Sequence, residues 1–221
     1  MARHGSENGV VVIGLGRFGS AVAETLVRLE HDVLGIDENA ELVQSWSDRL
    51  THVVQADTTQ TETLRRLGVQ DFGCAVVAIG SDLEASVLTV LALAELGVPD
   101  IWAKAMGTKH GRILERTGAH HVVFPEAAMG ERVARLVTGR MIDFIELDDG
   151  FAIAKTRVPR EAVGKPLGVS GLRSKYGVTV VCVKRPKQDF TYAQADTVPE
   201  QPDILIVAGP TAKVERFASL G

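Results

Sequence analysis

From Gly9 to about Phe124, short apolar runs rich in β-branched residues alternate with longer segments whose apolar positions recur every three or four residues. The runs VVVIG, HDVLGID, THVVQAD, CAVVAIG, DIWAKAM and HHVVFPE read as strands. Between them AVAETLVRL, ELVQSWSDRL, TETLRRLG, EASVLTVLALAELG and HGRILERTG read as helices, with Gly68, Gly97 and Gly118 as stop signals. Strands with no polar face, separated by helices, pack as a parallel sheet covered on both sides. The predicted fold class is therefore α/β, a Rossmann-like, doubly wound parallel sheet of about six strands.

The pattern changes after Pro125. EAAMGERVARLVTG predicts a helix running to Gly139. Beyond it MIDFIELDD, FAIAKTRV, VTVVCVKR and DILIVAG predict strands, with turn signals at Asp149-Gly150 and Pro186. Short helices are expected at VSGLRSKYG and PTAKVERFASL. A unit of ~80 residues with this mixture reads as a small α+β C-terminal lobe. The expected organisation is an N-terminal domain over 1–138, including a helix from about 126, and a lobe over 139–221.

Composition narrows the class. At 45% hydrophobic and 24% charged, the 221 residues are those of an ordinary globular protein. A net charge of -4 argues against a general nucleic-acid partner. No apolar run approaches the roughly 18 residues that a membrane span needs. The polar leader MARHGSEN lacks the apolar core of a signal peptide, so a cytosolic location is expected. Cys74 and Cys182 sit inside apolar runs and read as small buried hydrophobes. His120 and His121 are adjacent at a strand entry, so they point to opposite faces and do not share an ion.

The candidate chemistry lies in VVIGLGRFGS. Gly14 permits the tight turn, Gly16 lets backbone approach phosphate, and Gly19 lets the helix pack close to the sheet. The motif follows a strand and opens a helix, and Asp37 closes the next strand about twenty residues on, where a carboxylate takes ribose hydroxyls. Such an acid favours NAD or an adenine nucleotide over NADP. Asp57, Ile79, Gly80, Lys104 and Glu126 all fall at the ends of predicted strands, where ligands of such sheets bind; each alone also reads as a solvated loop residue. Arg17 stands at the phosphate-facing turn, where a guanidinium suits extra terminal phosphate charge and where a solvated surface arginine is the alternative.

With these motifs the chain resembles the RCK (KTN) regulatory subunits of bacterial Ktr/Trk potassium transporters. The resemblance is carried by VIGLGRFGS…VLGID, VVQADTT, VVAIGSDLEASVLTVLALAELGVPDIWAKA, ILERTGAHHVVFPEAAMGERVA, FIELDDGFAIAKTRV, GKPLGVSGLRSKYGVTVVCVKR and DILIVAGP, nearly the whole chain. It implies a cytoplasmic octameric ring, a tetramer of dimers, at the inner face of the cell membrane on a membrane-embedded potassium-translocating subunit. It implies ATP or ADP in the Rossmann cleft, with NAD(H) in some members, and regulation without catalysis. Gly14, Gly16 and Gly19 would hold phosphate, Asp37 ribose, Asn39, Asp57 and Thr58 the nucleoside end, and Ile79, Gly80 and Lys104 the rest of the pocket. Arg17, with Phe18 beside it, would meet the γ-phosphate. Glu126 would sit where a cation (Mg, Ca or Na) bridges like charges, and its helix would be the crossover helix of the dimer. In the lobe, Arg173 matches a phosphate-binding arginine of a cyclic di-AMP site, with Lys175 and Tyr176 nearby. VSGLRSKYG reads equally as a helix, turn and strand without ligand, and RPKQDFTYAQ departs from the family pattern.

Two other classes fit less well. An NAD-dependent oxidoreductase needs an acid/base near the nicotinamide, and the second half contains no histidine. An NAD-sensing transcriptional regulator needs a helix-turn-helix and a basic face, and neither is legible.

Overall fold

Val10, Val11, Val12 and Ile13 are all buried, as a strand covered on both faces requires. The computed structural model describes residues 9–137, 141–147 and 150–221. The leader 1–8, the end of the predicted helix at 138–139 with the boundary expected there, and the aspartate of the 149–150 turn lie outside the described residues. The chain divides into two compact units, Met1–Ala127 and Ala128–Gly221.

The first unit runs β1(Gly9–Ile13), α1(Arg17–Arg28), β2(Asp32–Asp37), α2(Ala40–Trp46), β3(His52–Gln55), α3(Thr61–Arg66), β4(Cys74–Val77), α4(Leu83–Glu95), β5(Asp100–Lys104), α5(Thr108–Thr117) and β6(His121–Val123). Helix α6(Pro125–Val137) follows, and the division between the units falls inside it. The six strands are parallel in the order β3-β2-β1-β4-β5-β6. One core joins Val11, Ile13, Val77 and Ile101 to Leu64, Leu93 and Leu114 of α3, α4 and α5. On the other face Val10, Val12 and Val33 pack with Ala23 of α1, Leu50, and Leu42 and Trp46 of α2. This is the expected doubly wound sheet. Its strand order reverses between β1 and β4, which opens a crevice at their carboxyl ends.

The second unit is an antiparallel sheet, β10-β9-β11-β8-β7, with short helices. Its strands are β7(Asp143–Leu147), β8(Phe151–Arg157), β9(Thr179–Lys184), β10(Phe190–Tyr192) and β11(Ile204–Pro210). Its helices are α7(Leu167–Ser170), α8(Leu172–Tyr176) and α9(Thr211–Ala218). Alternating residues of β8 and β11 (Ala152, Ala154, Leu205, Val207) meet Val214 and Phe217 of α9 in one core. Arg135 of α6 bonds Glu146 of β7 at 3.0 Å and Glu215 of α9 at 3.3 Å, with its guanidinium over the Phe144 ring. The single helix predicted over VSGLRSKYG is two, α7 and α8, because Gly171 takes φ +67° between them.

Candidate functional site

The glycines of the β1–α1 turn have three separate reasons to be glycine. Gly14 adopts φ +92°, and a Cβ there would lie 3.1 Å from the carbonyl carbon of Ala78. At Gly19 a Cβ would fall 1.8 Å from the Gly14 carbonyl oxygen, so only glycine lets α1 start this close to the turn. Gly16 has an ordinary φ of -64°, and a Cβ there would meet none of the described residues within 4 Å. It leaves clear the space before the α1 N-terminus. Among the described residues no side chain caps that helix, and its first turn carries no acid. First-turn N–H groups and the helix dipole are thereby available to an anion.

Asp37, the last residue of β2, closes on this turn. Its Oδ2 accepts the backbone N–H of Leu15 at 2.6 Å and its Oδ1 that of Asn39 at 2.8 Å. A carboxylate has about four acceptor positions, so two remain for ribose hydroxyls. Asn39 caps α2 by accepting the Glu41 N–H at 2.9 Å, which leaves its amide NH2 as a donor. Asp57 after β3 accepts the Thr59 hydroxyl at 2.6 Å and the Thr59 N–H at 2.9 Å; these bonds, the hydroxyl's first, hold its carboxyl below the usual range. The neighbouring Thr58 hydroxyl turns inward to Thr89 of α4 at 2.8 Å and pins the loop.

These residues surround a cavity of about 250 Å³. Its lining brings together Gly14, Gly16, Asp37, Asn39, Asp57, Thr58, Ile79 and Gly80, all expected from the sequence. It also includes Glu38, Ser81 and Asp82, which sequence reading missed although Glu38 directly follows Asp37 and the other two come next after Gly80.

Arg17, Phe18, Lys104 and Glu126 form a second cluster outside that lining. Lys104 Nζ donates to Glu126 Oε1 at 2.7 Å and stands 5.8 Å from the Phe18 ring centroid. The Glu126 carboxyl is pulled below its ordinary range, first by this bond, then by its own backbone N–H, and also by the charges of Lys104 and Arg17. Lys104 reaches the cavity rim, since a Cβ on Gly80 would lie 2.9 Å from its Nζ. The residues here do not make a cation site by themselves. Among the described residues no three His, Cys, Asp or Glu side chains gather as metal ligands, and Glu126 is already paired.

In the second unit a cavity of about 490 Å³ is lined by Leu172, Arg173, Ser174, Thr179 and Gln194 among others. Lys175 and Tyr176, expected beside Arg173 because they are near it in sequence, are absent from its lining; both donate to the Glu161 carboxylate. Cys74 is half-buried, and burial first, then Asp100, pushes its thiol up to about 11, which leaves it protonated and unreactive. His120 and His121 act separately. The first accepts the Ile101 N–H through Nδ1, and the second stacks on Trp102.

Residues 10–125 match the model of the TrkA-N domain. The chain is 34% identical over 211 residues to Ktr system potassium uptake protein A of Bacillus subtilis, covering 95% of each chain. This chain belongs to the TrkA-N family of Ktr-type potassium uptake proteins. Ktr system potassium uptake protein C of the same organism is 35% identical over 207 residues, 93% of this chain and 94% of that one. Among solved structures the GsuK RCK domain superposes on 97% of this chain with a TM-score of 0.66 at 20% identity; this chain spans 48% of that one. The GsuK channel bound to NAD gives 0.67 at 20% identity over 98% of this chain and 40% of that one. GsuK bound to ADP gives 0.53 at 26% identity over 62% of this chain and 36% of that one. The family expected from the sequence is the family found, and the RCK likeness confirms the expected fold. Among the described residues no helix is long and apolar enough to cross a membrane.

Proposed function

We propose that the chain is a cytoplasmic regulatory subunit, peripheral to the membrane, that reads adenine nucleotides and gates a membrane-embedded potassium-translocating subunit. One observation carries the nucleotide reading: the space before the uncapped α1 N-terminus stays open at Gly16, beside an Asp37 carboxylate with acceptor positions to spare. The cavity takes the nucleoside between Asp37, Asn39 and Asp57 and leads the phosphates toward Arg17 and Lys104. The potassium-uptake relatives support the transport role, and the ADP- and NAD-bound states of GsuK support the ligand class.

ATP and ADP differ only at the end where Arg17, Lys104 and Glu126 gather. A terminal phosphate competes with Glu126 for Lys104 and adds a partner for Arg17. A cation at Glu126 would need phosphate oxygens and groups of a second subunit to complete its shell. A ligand whose contacts extend to a second subunit favours the arrangement in which they form, and it shifts the equilibrium by no more than its differential affinity, typically ~1–3 kcal/mol per site. Exposed Met129, Val133 and Val137 recur along α6 as an apolar stripe suited to a dimer contact. Exposed Leu88 and Leu91 of α4 and Ile113 of α5 suit a second contact, and dimers joined this way build the octameric ring. The role requires no catalysis. The Arg173 cavity supports cyclic di-AMP as a second regulator of the lobe.

A thermal-shift panel tests the reading, because a ligand of the folded form alone must raise its melting temperature. ATP and ADP should each raise it through the first cavity, and cyclic di-AMP through the second, abolished by Arg173→Ala. No shift with any adenine nucleotide would end the nucleotide reading.

A further inference from the structure

The antiparallel sheet of the second unit turns Ala152, Ala154, Leu205 and Val207 to its core, so the alternate residues of β8 and β11 point the other way. Strand register sets these outward residues in rows. Arg157, Ile204, Lys184 and Phe190 form one row across β8, β11, β9 and β10, and Lys155, Ile206, Cys182 and Tyr192 form the next. Ile145 and Leu147 of β7 extend the face beside Ile153 and Phe151. Large apolar side chains stand open along it, Phe190 at 46% and Tyr192 at 83% exposure among them. An open apolar face edged with charge marks a contact surface.

The β9–β10 hairpin concentrates charge at one end of that face. From Lys184 to Tyr192 it reads KRPKQDFTY, three cations against one acid. The Gln188 N–H donates to the Arg185 carbonyl at 3.2 Å and closes a turn with Pro186 second and Lys187 third. Lys187 takes φ +61°, at a turn position that favours glycine or asparagine, so a lysine is displayed there against the backbone's preference. Among the described residues Lys184, Lys187 and Arg157 form no ion pair, and Arg185 only approaches Asp203, at 4.0 Å. Lys184 stands 4.9 Å from the Phe190 ring centroid. Lysines also keep an edge strand from pairing with another, but that duty does not call for two exposed rings beside them.

We infer that this face, led by the β9–β10 hairpin, docks on the anionic lipid surface of a membrane. The cations meet headgroup phosphates, and Phe190 and Tyr192 enter the interfacial layer above the hydrocarbon. Charge complementarity selects this occupant. The same face of a second copy offers the cations no free acid, because Asp143, opposite Lys155, is already bonded to Arg132 at 2.7 Å. The choice of lipid rests on the location beside a membrane read above. The surface is a further one, since none of Lys184, Lys187, Phe190 and Tyr192 lines either cavity.

The test is co-sedimentation of the full chain with vesicles of phosphatidylcholine alone and of phosphatidylcholine mixed equally with phosphatidylglycerol. The protein should pellet with the mixed vesicles and not with the neutral ones, and high salt should release it. Each cation near such a surface changes partitioning about fivefold, so Lys184→Glu combined with Lys187→Glu should lower it at least tenfold. Phe190→Ser combined with Tyr192→Ser should lower it at least threefold, with no change of particle mass in light scattering. Tyr192→Trp should gain a blue shift of emission on mixed vesicles that the wild type lacks. Far-ultraviolet circular dichroism confirms that each variant is folded. No pelleting with mixed vesicles, or pelleting that survives the charge reversal, overturns the inference and leaves the nucleotide and transport readings intact. Unshifted tryptophan emission from bound protein overturns it too. A smaller particle in the serine variant gives the face to a second copy and likewise overturns it.

Discussion

The carboxylate of Asp37 accepts the backbone N–H of Leu15, twenty-two positions earlier in the chain, at 2.6 Å. The acid that closes β2 therefore braces the glycine turn that follows β1, and the ribose and phosphate ends of the candidate site are mechanically one piece. Asp37→Ala leaves the N–H of Leu15, a residue only 1% exposed, without this acceptor. An unmet buried donor costs about 1–3 kcal/mol, so the melting temperature should fall along with ATP and ADP affinity. Calorimetry should show at least a tenfold loss; unchanged affinity would remove Asp37 from the site.

Gly16 and Gly19 separate binding from folding. Gly19→Ala places a methyl group 1.8 Å from the Gly14 carbonyl oxygen, and the backbone must move. A loss of about 1–3 kcal/mol or more is expected in denaturant unfolding. Gly16→Ala meets no neighbour within 4 Å, so stability should change by no more than about 0.5 kcal/mol. The added methyl stands in the phosphate approach, however, and ADP affinity should drop at least tenfold. Equal stability losses in the two variants would contradict this division.

Much of this was legible beforehand, and the reasons are local. Six apolar strand runs separated by helical periodicity leave few arrangements other than a covered parallel sheet, and GLGRFG with Asp37 marks which strand ends carry the site. The Lys104–Glu126 bond was not legible, because strand ends and resemblance gave each residue a separate role and nothing in a linear spacing pairs them. Strand β10 was missed: its three exposed residues, Phe190, Thr191 and Tyr192, follow a Pro-Lys turn and show no buried face. The break at Gly171 hid inside a stretch whose apolar spacing suits one helix, and the left-handed conformation of that glycine decides the matter. Lys175 and Tyr176 were grouped with Arg173 by sequence proximity, but their side chains turn to Glu161.

His110 should make the first unit acid-sensitive. It is buried at the start of α5, its Nδ1 accepts the Met106 N–H at 3.3 Å, and its Nε2 has no hydrogen-bond partner among the described residues. Burial holds its pKa below the ordinary 6.5. As pH falls below about 6.5 the unfolded chain takes up this proton and the folded chain does not. The stability is therefore intact above that pH and is lost as pH falls toward and through the depressed folded value. His110→Asn retains an acceptor for Met106 and removes the titration. Its melting temperature should drop less than that of the wild type between pH 7.5 and 5.5, and parallel drops would exclude His110 as the cause.

Arg17 is exposed in the first turn of α1, and its charge reaches Glu126. It should report on phosphate number. Arg17→Ala should reduce ATP affinity more than ADP affinity and narrow the ratio between them at least threefold, while AMP affinity changes little. A ratio that survives the substitution would assign the discrimination to another group.

The central claim is that one end of a bound nucleotide decides the shape of the assembly. Small-angle X-ray scattering of the purified protein, saturated in turn with ATP and with ADP, tests it most directly. The account predicts a particle of octameric mass in both states, with scattering curves that differ beyond noise and converge in Arg17→Ala. A monomeric particle, or superimposable curves for the two nucleotides in the wild type, would contradict it.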